Sequence, residues 1–310
     1  MNVQRASFLP KDGKENCSMK KEKEKKWEFL PPKEDFVFKL LFGDVRNKDI
    51  LADFLREVLN LSEEELSTLT ITNPYLPKEY KEDKYGIVDV KVKTTLGNSV
   101  NVELQVGEQI FFKERIEFYN AKMVIEPIGN KDEYNKIKRA INIVITNFIL
   151  VHNSPAYHHC FVRYDPINNT QFSDITEIHT LELKKLSKIS DGTELWEWLC
   201  FLKADKKEEF EMIAQRNEKM SNVVMQLAVL SQDEKNRMLY EERLKQRRDA
   251  WAREEFVRRE GIQLGREEGK QLSKKVFAMY LEHKSPEEIA KACDIPVAEV
   301  LAILPLNEYY

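Results

Sequence analysis

The stretch from Tyr85 to Val106, YGIVDVKVKTTLGNSVNVELQV, constrains this chain more than any other. Val88, Val90 and Val92 alternate with Asp89, Lys91 and Lys93. Val100, Val102, Leu104 and Val106 alternate with Asn101, Glu103 and Gln105. A period of two is the signature of a strand with one apolar and one polar face. Leu96-Gly97-Asn98-Ser99 supplies turn residues between the two halves, so a hairpin is predicted. Closed at that turn, the hairpin brings its polar faces together, with Asp89 near Gln105 and Lys91 near Glu103. Directly opposite Cβ atoms in such a pair are about 5 Å apart and diagonal ones about 7–8 Å. Two carboxylates at that separation can share one divalent cation. They are equally the residue types of an ordinary solvated strand face, and both readings stand at this point. The purity of the apolar faces fixes the register and favours the first. So do the acids Glu34 and Asp35, which open the preceding helix.

The 310 residues are 42% hydrophobic, enough for a sizeable core. Lys and Arg number 49 against 53 Asp and Glu, so any nucleic-acid contact must come from a local patch rather than a global basic excess. Cys17, Cys160, Cys200 and Cys293 lie far apart with no C-x-x-C pair, which predicts reduced thiols and a cytoplasmic setting. The longest apolar run, 140–151, is too short to span a membrane. Residues 1–31 read as a disordered polar tail, Lys-rich at 20–26.

Along the chain, Glu34-Asp35 after Pro31-Pro32 predicts a helix start, with two apolar helical pieces over 36–59 broken near 43–47. A Ser62 cap and a strand near 69–75 precede the hairpin. Phe112, Ile116, Tyr119 and Met123 draw one stripe of a helix over 109–125. Residues 128–131 read as a turn. Residues 141–151, 158–164 and 175–183 read as strands, and 193–204 as an aromatic helix. Residues 206–275 are Glu-, Lys-, Arg- and Gln-rich, which predicts one or two long surface helices. Ser285-Pro286-Glu287-Glu288 is a capped helix start within a small helix-turn-helix-like end. The domain reading is therefore a body over 32–204, a charged helical extension over 205–272 and a small helical end over 273–310. His158 and His159 are adjacent on a strand, face opposite ways and are not expected to share a metal.

In their order these stretches resemble the PD-(D/E)XK nuclease superfamily, and more narrowly its recombination-promoting nuclease / transposase family. The resemblance rests on DFVFKLLFG (35–43), NKDILADFLREVL (47–59), IVDVKVKTTLGNSVNVELQ (87–105), RIEFYNAKM (115–123), YNKIKRAINIVITNFIL (134–150), WLCFL (198–202) and GIQLGREEG (261–269). It implies an α/β fold, a mixed sheet flanked by helices, with a long helical C-terminal extension. It implies a DNA endonuclease dependent on Mg²⁺, or on another divalent cation such as Mn²⁺ or Ca²⁺, acting on double-stranded DNA.

By position, the resemblance makes Asp89 and Glu103 the metal-binding carboxylates and Asp35, or Glu34, the acid that completes the set. Gln105 stands where most members of the superfamily carry Lys, and Val88 where they carry Pro. An amide cannot supply the charge of a lysine, and Lys91, on the same polar face, is the expected substitute. Arg115 and Tyr119 match an R-x-x-x-Y pattern and are expected to position phosphate or water; core packing is the equal alternative for Tyr119. The other reading of the chain is a non-catalytic DNA- or protein-binding module with structural carboxylates. Association of copies through the C-terminal helices is a further expectation.

Overall fold

A computed structural model describes residues 29–73, 89–127 and 133–304, with Asp89 described by its backbone alone. The N-terminal tail through residue 28, Val88 and the 128–131 turn lie outside the described residues. The chain forms two compact units, residues 1–236 and 237–310.

The first unit is built on a mixed six-stranded sheet, in agreement with the α/β expectation. Its strands are β1 (Thr70–Ile71), β2 (Asp89–Lys93), β3 (Ser99–Gln105), β4 (Ala140–Thr146), β5 (His158–Asp165) and β6 (Thr170–Glu182). They lie in the order β1-β2-β3-β4-β6-β5. β3 runs parallel to β4 and β4 parallel to β6, while the other neighbours are antiparallel. Helix α4 (Phe112–Ile125) makes the crossover from β3 to β4. It lies against the sheet, where Phe112 and Ile116 pack with Val144, Phe148 and Ile178. The face that α4 covers carries Glu103, because Glu103 and Val144 are register partners.

On the other face the hairpin valines and leucine, Val90, Val92, Val100, Val102 and Leu104, are buried. Helix α1 (Asp35–Phe42) lies against β2 and leads a helical layer of α2 (Lys48–Leu59), α5 (Glu194–Lys203), α6 (Lys207–Ala214) and α7 (Glu218–Gln232). Aromatic rings lock the layer: Phe42, Phe54 and Trp198 sit with centroids 5.5–5.9 Å apart. With a layer on each side, β3 and β4 are buried along nearly their whole length.

Two expectations are corrected here. The hairpin loop is Thr94–Asn98 rather than Leu96–Ser99. Asn98 O accepts from Thr94 N–H at 3.0 Å, Thr94 O accepts from Gly97 N–H at 2.9 Å, and Gly97 adopts φ 83°. This loop moves the register by two residues: Asp89 pairs directly with Glu103, and Lys91 with Asn101. The body also extends past Ala204. α6 and α7 bury Phe210, Ile213, Met220, Val223 and Leu227, and Leu30 N–H donates to Ser231 Oγ at 2.9 Å. Residues 206–232 are therefore core-forming rather than a surface extension.

The second unit takes most of α8 (Glu234–Leu281, 48 residues) together with α9 (Pro286–Cys293) and α10 (Val297–Ile303). α9 begins with a capping box: Ser285 Oγ accepts from Glu288 N–H, and the Glu288 carboxylate accepts from Ser285 N–H. Val276, Ile289, Ala290 and Val300 form a small core. No described helix is long and apolar enough to cross a membrane.

Candidate active site on the central hairpin

Glu103 sits in the middle of the sheet at 2% exposure, and Gln105 beside it is also buried. A carboxylate so placed needs a cation or several donors. The cation comes from α4. Phe111 takes a left-handed conformation, φ 59°, just before the helix. Its carbonyl accepts the Arg115 N–H at 3.0 Å, so Arg115 closes the helix's first turn. From there the guanidinium reaches back over the sheet. Arg115 Nη2 donates to Glu103 Oε1 at 2.5 Å and to Gln105 Oε1 at 3.1 Å, and Nη1 donates to Gln109 Oε1 at 2.5 Å. The guanidinium carbon stands 4.8 Å from the Phe112 ring centroid, a cation–π contact that holds its plane. Gln105 is pinned in turn, since its Nε2 donates to Gly107 O at 2.8 Å. Arg115 Nε is buried without a hydrogen-bond partner among the described residues.

The site residues expected from the sequence are thus partly gathered. Glu103, Gln105 and Arg115 form one hydrogen-bonded set. Asp89 stands directly across the ladder from Glu103, closer than the sequence reading placed it, and positions so paired share a face of the sheet. α1, whose first residue is Asp35, packs against β2, the strand that begins at Asp89. The Asp35 carboxylate accepts from Phe36 N–H at 2.8 Å, and Glu34 is buried at 8% exposure. Tyr119 lies one turn beyond Arg115, partly buried, with its ring edge-on to Phe118.

Lys91, expected to stand in for the lysine, is exposed and paired across the ladder with Asn101, while Arg115 places a guanidinium on Glu103 and Gln105. The sequence signal for this was the R-x-x-x-Y pattern, read as phosphate positioning. The contact itself joins a strand to a helix across a turn, so no local periodicity reports it. Gln109 was missed for the same reason.

The donor set suits a hard divalent cation. Such ions take carboxylate oxygens and keep several waters, needing only one or two protein carboxylates. Glu103 is a buried carboxylate fixed by the Arg115 clamp, and the strand position paired with it is an aspartate, so these two residues could hold such an ion.

Neither the curated proteins nor the solved structures include a match to this chain. The profile of a PD-(D/E)XK nuclease family transposase, however, matches residues 32–254 and takes in the acid-led helix, the carboxylate hairpin, Arg115 and the sheet. Members of the PD-(D/E)XK superfamily are nucleases that generally use divalent metal ions. With that match running over well over half of its length, the chain belongs to the PD-(D/E)XK nuclease family transposases.

Proposed function

We propose that the chain is a divalent-metal-dependent endonuclease that adds water across phosphodiester bonds of double-stranded DNA. The carrying observation is the direct pairing of Asp89 with Glu103 on a buried strand whose carboxylate is already clamped. Asp89 and Glu103 would hold Mg²⁺ or a similar ion, with Asp35 as the third acid. When bound, the ion supplies an activated water and offsets charge on the scissile phosphate. The chain's own residues do the rest. Arg115 keeps Glu103 in one rotamer and places positive charge beside it, the role that lysine plays in most of the superfamily. Gln105 transmits rigidity, because its amide bridges Arg115 and the Gly107 carbonyl. The unpartnered Arg115 Nε is a donor that a phosphate oxygen would satisfy. Tyr119, on the same helix, is the next group along for phosphate or water.

The test is nicking of supercoiled plasmid by the full chain. Activity should require added Mg²⁺ or Mn²⁺, vanish with EDTA, and vanish in Asp89→Asn and Glu103→Gln while the circular dichroism of both variants stays native. Full activity in both variants would sink the assignment. The second reading, a DNA- or protein-binding module without catalysis, draws on one observation: Glu103 Oε1 is taken by Arg115. Absence of calorimetric Mg²⁺ and Mn²⁺ binding, with DNA binding retained, would favour it.

A further inference from the structure

The opposite face of the sheet carries a second group of metal-ligating side chains. Cys160 and His179 are register partners on β5 and β6, and Glu177 lies two residues before His179 on the same face. Cys160 Sγ, one ring nitrogen of His179 and one oxygen of Glu177 all lie within 4.8 Å of one another. β6 presents Ile178, Thr180 and Glu182 to the face that bears Glu103, so this group is separate from the hairpin carboxylates.

We propose that Cys160 Sγ, His179 Nε2 and Glu177 Oε1 form a site for a thiophilic divalent transition ion of the zinc class. The neighbours are arranged as such a site requires. His179 Nε2 already stands 2.6 Å from Glu177 Oε1, and Cys160 Sγ stands 3.5 Å from the same oxygen. Tetrahedral zinc with bonds of about 2.0–2.3 Å keeps its ligand atoms roughly 3.3–3.8 Å apart. The present spacing therefore asks for small side-chain rotations and no movement of the strands.

The other nitrogen of His179, Nδ1, is 2.8 Å from His158 Nε2. A partner on the second nitrogen orients a ligating imidazole and fixes its tautomer. Glu177 is oriented likewise, since Arg139 binds its other oxygen, Oε2, and leaves Oε1 aimed at His179 and Cys160.

Solvent reaches the group at Cys160, which is exposed, while His179 is 4% exposed. Three protein ligands with solvent access match the zinc pattern that keeps a position for water or substrate. The mixed sulfur, nitrogen and oxygen set disfavours Mg²⁺ and Ca²⁺, which take oxygen ligands. The two sites would then sort metals by hardness, Mg²⁺ on the hairpin and a zinc-class ion on β5–β6. Loading releases the Cys160 thiol proton to solvent, while His179 binds as the neutral imidazole that keeps its one proton on Nδ1, where His158 Nε2 accepts it, and so frees Nε2 for the ion.

The probe is Co²⁺ alone, titrated into the EDTA-treated and desalted full chain and followed by absorption. Wild type should develop a near-ultraviolet thiolate-to-cobalt charge-transfer band, saturating at one equivalent and erased by Zn²⁺. Cys160→Ser should lose that band with native circular dichroism and unchanged Mg²⁺-dependent plasmid nicking. His158→Asn should weaken Co²⁺ binding by about 10–100-fold, the usual effect of removing a ligand's hydrogen-bond partner. Glu103→Gln should leave the band intact, which separates this site from the proposed nuclease centre. A wild type that reaches saturation with no thiolate band, or a band that survives in Cys160→Ser, overturns the proposal.

Discussion

Arg115→Met isolates the interaction on which the hairpin site is built. Glu103 has a side chain only 3% exposed, and Arg115, at 21%, supplies its cation at 2.5 Å. Removing one partner of a buried pair costs about 3–5 kcal/mol, because the remaining charge keeps its desolvation penalty without its compensation. Loss of the stacking over Phe112 adds roughly 0.5–1 kcal/mol, while methionine preserves the apolar stem. The sum is about 3.5–6 kcal/mol, a large share of a domain stability on the order of 5–15 kcal/mol. Glu103→Gln should cost less, about 1–2 kcal/mol, since the amide oxygen still accepts from Arg115. The double variant should resemble Glu103→Gln alone, because neutralising the carboxylate removes the reason for needing Arg115.

Urea unfolding across this cycle, with the slope of each transition compared, supplies the measurement. One further readout follows. Mg²⁺ should also stabilise Arg115→Met more than wild type, since an ion can supply the missing counter-charge. The reasoning is refuted if Arg115→Met lies within about 1 kcal/mol of wild type.

Three other perturbations check the surrounding structure. Asn101 Nδ2 donates to Asn142 Oδ1 at 3.0 Å, but Asn101 Oδ1 and Asn142 Nδ2 are buried without partners among the described residues. Asn101→Val or Asn142→Val alone strands the other amide, while the double variant should recover most of the loss in Tm. His158 is held near pKa 4, below its ordinary 6.5, by burial first and then by His179 and His159. The unfolded chain takes up that proton earlier, so stability should fall as pH drops from about 6.5 to 4, by on the order of 2 kcal/mol once solvent screening of the partly exposed ring is allowed for. His158→Phe should flatten that segment of the stability curve in metal-free protein. A chain ending at Ala204 loses Phe210, Ile213, Met220 and Leu227, each contributing about 1.5–3 kcal/mol by burial. Its cooperative melting transition should disappear, whereas a chain ending at Asn236 should keep one.

The residues show how far the sequence alone carries. Alternation in β2 and β3, the acid-led start of α1, the all-apolar β4 and the Ser285 capping box are local patterns, and each is legible because its physics spans a few neighbours. The hairpin register is a sterner case. Gly97-Asn98 marks a turn, but the loop length decides which residues pair, and Thr94 joins the loop through its own backbone bonds. Two residues of loop moved Asp89 from beside Gln105 to opposite Glu103. α7 shows the reverse, a signal present and underweighted. Met220, Val223, Val224 and Leu227 recur at helical spacing, yet the charge around them reads as a solvated helix.

What sequence could not deliver is contact between elements. Arg115 reaches Glu103 only because a left-handed Phe111 starts α4 over β3. His158 and His159 do face opposite ways, as strand geometry demands, and the argument from alternation ends there. It stayed silent on β6, where Cys160 finds His179 as its register partner. Both clusters follow one rule. A strand fixes which face a side chain points to, and a second element, unseen in the local pattern, decides whether that face holds a solvated residue or a site.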